Sequence, residues 1–176
     1  RYRELLKGEY VVTNPSEYTK RFEVVEVNVC CEGFSSLITK PELLKEAIYL
    51  VEIGGVDLAG CFVNRTPVVT QSFTTEQGMN KFYKELAKVL TSKLLEGFSD
   101  KDAELVYGKY ETLTEELKEI IDSFAKEYIQ KNIYKKLADV GYKKLIHKLV
   151  LVGGGAIALE RYLKEDDNII ILENAL

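Results

Sequence analysis

"VEIGGVDLAG", residues 51–60, ends an apolar run on a carboxylate, follows it with two glycines and sets a second carboxylate at Asp57. A strand that only filled a core has no use for Glu52, because an ionised group out of water is costly unless paired. Glu52 therefore has a partner or faces a ligand. A glycine hairpin exposes backbone N–H groups that can form an anion-binding nest. A carboxylate beside such a nest repels the anion unless a metal lies between them. Mg2+ meets that condition, since it binds through one or two carboxylates, or their waters, together with phosphate oxygens. Gly54 and Gly55 thus read as a phosphate turn, and Glu52 and Asp57 as metal-side acids. The plain alternative is a surface hairpin with two solvated acids.

Working outward, "AIYLVEI" (47–53), "DLAGCFVN" (57–64) and "TPVVTQS" (66–72) are strand-like runs joined by tight turns, which predicts a meander of two hairpins. Upstream, "EYVVT" (9–13) and "RFEVVEVNVCC" (21–31) flank the turn chemistry of "NPSEY". The second run alternates imperfectly, which predicts a strand buried on both faces. A short helix is expected after Pro41, over Glu42–Lys45. From residue 74 the period becomes helical: Thr74 with Gln77 fits a capping box, and the apolar stripe Met79, Phe82, Tyr83, Leu86, Val89, Leu90 and Leu94 runs to a glycine stop at Gly97. A second box, Thr112 with Glu115, opens a longer helix whose stripe extends to Leu137, before Gly141.

"KLVLVGGGAIALERYL" (148–163) is a strand, three glycines and a helix, and "NIIILENAL" (168–176) repeats strand then helix start. Without a Cβ, Gly153, Gly154 and Gly155 can take positive φ and leave N–H groups open at a helix N-terminus, where a phosphate or nucleoside is favoured. The bland reading is a tight strand-to-helix turn. The glycine hairpin upstream favours the ligand reading.

Composition sets bounds. The 176 residues suffice for one domain or two small halves and can bury about 70% of the unfolded chain's surface. Hydrophobic residues make up 46% and charged residues 30%, and the net charge of −4 gives no sign of nucleic-acid binding through bulk charge. No run is long enough to span a membrane. Three cysteines, two of them the neighbours Cys30 and Cys31, make neither a disulfide framework nor a zinc spacing, which points to the reducing cytoplasm. The chain opens on Arg-Tyr-Arg and stops inside a starting helix, which reads as a fragment of a longer protein.

The order "VNVCCEGFSSL", "YLVEIGGVDLAGCFVN", two helices, then "KLVLVGGGA" resembles the actin-like ATPases, and within them the plasmid-segregation filament proteins of the ParM/StbA type. The resemblance covers about residues 24–176. It implies an α/β, actin-like (ribonuclease H-like) fold with a β-meander, strand-helix repeats and an inserted helical subdomain, in a fragment of a two-domain protein. Residues 1–36 would be the last strands of domain I and 37–176 actin-like domain II, with the helical outer subdomain over about 74–141. It implies ATP or GTP with Mg2+: Gly54 and Gly55 at the second phosphate loop, Gly153, Gly154, Gly155 and Ala156 at adenosine, and Gln77, Gly78 and Lys81 on the ribose side. Glu32, in Cys31-Glu32-Gly33, matches the glutamate that orients the attacking water, and Glu52 and Asp57 fall at the metal.

The hairpin departs from the family. Glu52 replaces an aspartate and the threonines after the glycines are missing. With a shortened loop Asp57 matches the second aspartate; otherwise Ala59 takes that place and Asp57 replaces a threonine. The family's first phosphate loop, an N-terminal Asp-x-Gly, is not in this sequence, so the cleft is expected to be incomplete. The resemblance also implies self-association into filaments and a DNA-binding adaptor in plasmid or phage segregation, without direct nucleic-acid or membrane contact. Two alternatives stay open: a structural scaffold that binds nucleotide with little hydrolysis, and a small-molecule kinase of the superfamily. His147, the one histidine, reads as a strand-edge residue, Cys30 and Cys31 as small buried hydrophobes, and the 11 tyrosines as core and interface residues.

Overall fold

The computed structural model describes residues 2–13, 19–27, 31, 33–164 and 166–173. The chain divides into two compact units, Arg1–Cys30 and Cys31–Leu176.

In the first unit, helix α1 (Tyr2–Leu5) precedes an antiparallel pair, β1 (Gly8–Thr13) and β2 (Thr19–Val24). Tyr10 stands directly opposite Phe22, and their rings stack with centroids 5.4 Å apart. The strand expected over 21–31 ends at Val24, and β2 is exposed along its length until Val24 itself. A two-stranded ribbon offers no layer of its own to cover either face, so the apolar run does not produce the expected burial on both.

The second unit is built on a mixed sheet of order β5-β4-β3-β6-β7. β3 (Ala47–Ile53), β4 (Leu58–Asn64) and β5 (Thr66–Thr75) form the expected antiparallel meander. β6 (Lys148–Val152) runs parallel to β3, and β7 (Ile169–Ile171) parallel to β6. Alternation along β3 splits the core. Tyr49, Val51 and Ile53 join the helices on one face, while Ile48 and Leu50 meet Leu37, Leu43, Cys61, Val63, Val150 and Val152 on the other. The second face is covered by two short 3-10 helices, Phe34–Thr39 and Pro41–Lys45, the second of them the short helix expected after Pro41. A strand covered on both faces needs an apolar run, which is why residues 47–51 are nearly continuous in apolar character.

Between β5 and β6 lie α2 (Met79–Leu94), α3 (Asp100–Gly108), α4 (Glu115–Tyr128), a π-helical segment (Ile129–Tyr134) and α5 (Lys135–Asp139). The expected start at Thr74 is displaced to Met79, because Thr74 and Thr75 pair with Ala59 and Leu58 in the sheet and Gly78 becomes the N-cap. Strand pairing at both threonines outcompetes one cap bond. The helix stop moves from Gly97 to Leu95, which takes the left-handed conformation itself at φ 56°. Thr114, not Thr112, caps α4 by accepting from Leu117 N–H, since Thr112 is held in a 3-10 turn. α3 adds a helix beyond the two that the sequence predicts, and Ser99 and Asp102 form a full capping box at its start. α6 (Gly154–Ala158) and α7 (Glu160–Leu163) connect β6 to β7. Among the described residues no helix is long and apolar enough to cross a membrane.

Candidate functional site

β3 leads away to β4 and β5 on one side, and the chain returns as β6 on its other side. The strand order therefore reverses between β3 and β6, two parallel neighbours whose carboxyl ends are level, Glu52 standing beside Val152. Open α/β sheets bind ligands at such a point, outside the carboxyl ends of the strands. Both glycine turns stand there: Gly54-Gly55 follows β3 and Gly153-Gly154-Gly155 follows β6.

The three glycines after β6 are not equivalent. Gly153 has φ 90°, and a Cβ on it would lie 2.8 Å from the Ile53 carbonyl oxygen. Gly155 is buried against the same residue, where a Cβ would fall 2.4 Å from Ile53 Cγ2. Gly154 is exposed, lacks the positive φ expected of it, and would place a Cβ in open space. The glycines thus seal the turn onto β3 at its ends and leave its middle open. The Gly153 carbonyl accepts from Ala156 N–H at 3.1 Å, whereas the first N–H groups of a helix have no acceptor within it. The Ala156 side chain is fully buried in the core, packed beneath the turn.

In the hairpin, Gly54 N–H donates to the Asp57 carbonyl at 2.9 Å. The loop carbonyls are taken by the start of α2: Gly78 N–H bonds Val56 O at 3.1 Å, Met79 N–H bonds Gly54 O at 3.0 Å and Asn80 N–H bonds Gly55 O at 2.7 Å. Gly78 is required for this approach, since a Cβ there would meet Val56, Asp57 and Gly54 backbone atoms at 2.6–2.7 Å. Among the described residues the N–H groups of Gly55 and Val56 donate no such bond, which leaves the donor pair that an anion nest needs. The α2 N–H groups are occupied by the loop and are not themselves open to a phosphate.

Glu52 lies on the sheet face of Leu50 and Val152 and is half-buried. A Cβ on Gly33, which has φ 75°, would sit 3.1 Å from Glu52 Oε2, and one on Gly153 would sit 3.4 Å from Glu52 Cγ. The carboxylate is thus set between Gly33 and the turn after β6. Glu32, between Cys31 and Gly33, lies outside the described residues. Asp57 folds back over the hairpin, its Oδ1 3.0 Å from where a Gly54 Cβ would be. No group of three or more His, Cys, Asp or Glu able to hold a metal is present among the described residues. Two carboxylates flanking a hairpin do not by themselves cage a cation; Mg2+ bound through one or two carboxylates takes its other ligands from water and phosphate.

Gln77 Oε1 accepts from Lys81 Nζ at 2.9 Å, and Lys81 also faces Glu85 at 3.8 Å. Beside the hairpin tip, a cavity of about 430 Å³ is lined by Val56 and Asn80 with three lysines, Lys81, Lys84 and Lys88, and three acids, Glu76, Glu85 and Asp100. The structure therefore brings Gly54, Gly55, Gly78, Gln77 and Lys81 into one bonded assembly, with Gly153–Gly155 and Glu52 beside it. Sequence reasoning missed Val56 and Asn80, which lock hairpin to helix through backbone atoms; no side-chain pattern announces such bonds. His147 is structural: its Nδ1 accepts from Lys143 N–H at 2.9 Å and its ring packs 5.2 Å from that of Tyr49.

Residues 53–165 match the family described as archaeal actin homologue MreB-like, C-terminal, and the chain belongs to that family. Among solved structures, the Alp12 filament is similar with a TM-score of 0.69 at 21% identity over 99% of this chain and 57% of that one. The crystal structure of Ta0583, an archaeal actin homologue, gives 0.66 at 14% identity, covering 95% of this chain and 55% of that one. Bacillus thuringiensis ParM with AMPPNP gives 0.59 at 17% identity over 98% and 57%. No curated protein matches the chain in sequence. The chain spans a little over half the length of these solved relatives. The fold is the α/β actin-like fold with a mixed sheet.

Proposed function

We propose that the full-length protein is a filament-forming, actin-like ATPase of the ParM/StbA type, cytoplasmic, which segregates plasmid or phage DNA through a DNA-binding adaptor. The observation that carries the nucleotide part is the side-by-side placement of two glycine turns where the strand order reverses. Support for the rest comes from relatives: ParM is known in structures with ATP and AMPPNP, Ta0583 with ADP, and Alp12 as a filament. In this reading residues 1–36 close domain I, residues 37–176 form domain II, and residues 74–141 are its outer helical part.

The roles follow from the chain's own groups. Gly55 and Val56 N–H face the phosphates, Gly154 admits the adenosine, and Gln77, Gly78 and Lys81 stand on the ribose side. Glu52 and Asp57 hold Mg2+, which when bound neutralises phosphate charge. Glu32 orients water for attack, a role carried over from the family resemblance. ATP is the first choice of substrate and GTP the second. Glu52, one methylene longer than aspartate, and the absent threonines favour a second reading, a scaffold that binds nucleotide and hydrolyses it slowly.

Phosphate release and nucleotide affinity of the full-length protein, with and without Glu32→Ala, decide between them. The first reading expects turnover to fall by about a hundredfold with affinity nearly unchanged, because a water-orienting group acts in the transition state. Equal losses in both would make Glu32 a structural residue, and negligible turnover in the wild type beside tight binding would select the scaffold.

A further inference from the structure

We infer that Tyr128 is a positioning residue for the Gly54–Asp57 hairpin: its phenol fixes the Gln77–Gly78 segment, and that segment fixes the hairpin. Its functional consequence rests on the nucleotide reading above. Tyr128, the last residue of α4, is 3% exposed, and its hydroxyl donates to the Gln77 carbonyl at 2.9 Å, with the Gly78 carbonyl 3.3 Å away. A phenol has one proton to give, so the two carbonyls share it. From Gly78 the chain of bonds continues without a gap: Gly78, Met79 and Asn80 N–H groups hold Val56, Gly54 and Gly55.

The ring is held from the other side as well. It packs edge-on to Phe82 of α2, with centroids 5.2 Å apart and an interplanar angle of 87°. Asn132 Nδ2 donates to the Tyr128 carbonyl at 3.1 Å, where α-helical pairing gives way to the π segment. π segments inside helices recur at functional sites. An apolar stripe through Ile121, Ala125 and Tyr128 would be served equally well by phenylalanine; the hydroxyl is what the stripe does not explain. Burial, and Glu85 secondarily, push the phenol's pKa upward, which keeps it a donor across the physiological range.

Tyr128→Phe keeps the ring and removes the one donor. The control is Tyr142→Phe, which removes a buried hydroxyl that has no hydrogen-bond partner among the described residues. In the full-length protein without nucleotide, amide hydrogen exchange at Gly78, Met79 and Asn80 should be about tenfold faster in Tyr128→Phe than in the control, while core amides in β3 and β6 keep their protection. With Mg2+ and a fluorescent ATP analogue, Tyr128→Phe should bind about fivefold more weakly than the control, the effect of one lost hydrogen bond. Unchanged exchange at those amides overturns the positioning role whether or not nucleotide binds. Faster exchange with unchanged affinity overturns its consequence for the site. Faster exchange in a protein whose wild type does not bind the analogue leaves the positioning role standing and overturns the nucleotide reading instead.

Discussion

The two glycine turns at the carboxyl ends of β3 and β6 are made of the same residue and wired in opposite ways. The hairpin after β3 hands its carbonyls to the start of α2 and keeps N–H groups in reserve, so its geometry depends on a helix start that lies beyond two further strands. The turn after β6 is sealed directly onto Ile53 by Gly153 and Gly155, with Gly154 alone left open. The first turn is shaped by hydrogen bonds at a distance and the second by contact. A distant change can therefore loosen the first, whereas only a local one disturbs the second.

The largest effects should come from filling the sealed positions. Gly155→Val and Gly78→Ala each drive a side-chain carbon to within 2.4–2.7 Å of their neighbours, backbone atoms in the case of Gly78. Overpacking of this kind costs about 3 kcal/mol, which urea denaturation of the full-length protein would read as a lower midpoint. A stability equal to wild type would mean that the turns are not packed as described. Gly154→Val should separate stability from binding. With nothing within 4 Å of the new carbon, stability should stay within about 1 kcal/mol of wild type, while affinity for an ATP analogue falls more than about tenfold. If affinity holds, the open middle of the turn does not face nucleotide. Its reason is access, and not the positive φ that the sequence suggests for all three glycines.

The smallest effect lies at the opposite end of β6. Asp166 accepts from Asn168 N–H at 3.0 Å and pairs with Lys144 at 3.0 Å, and these two partners hold its carboxyl below the usual range. A depressed folded pKa gives stability that is present above the unfolded value of about 3.9 and lost as pH falls through the folded one. Asp166→Asn should lower Tm by about 1–2 °C at pH 7, with the difference vanishing in acid, and leave both glycine turns unchanged. A change in nucleotide affinity would show that the two ends of the sheet are coupled.

Much of this was legible because periods and glycines are local signals. The meander, the strand-glycine-helix unit and the stripes of α2 and α4 follow from alternation, spacing and turn residues. The failures share a cause. Thr74 carries a good cap signal, but its pairing with Ala59 belongs to the sheet and is invisible in a window around residue 74. The run ending at Cys31 has the composition of a buried strand, yet burial depends on what covers it, and among the described residues of the first unit nothing covers β2. At the site, Gly54, Gly55 and Gly153–Gly155 stood out as turn residues, whereas the backbone bonds of Val56 and Asn80 and the phenol of Tyr128 depend on elements about 20 to 70 residues apart in sequence.

The outer strands of the sheet carry a consequence for how such units can join. β5 shifts register between Cys61 and Phe62 of its neighbour and contains Pro67, which has no N–H to give, while β7 is three residues long. A bulged, proline-bearing border and a very short one are poor templates for backbone pairing with another chain. Backbone pairing with another chain through this five-stranded sheet is therefore disfavoured at both borders.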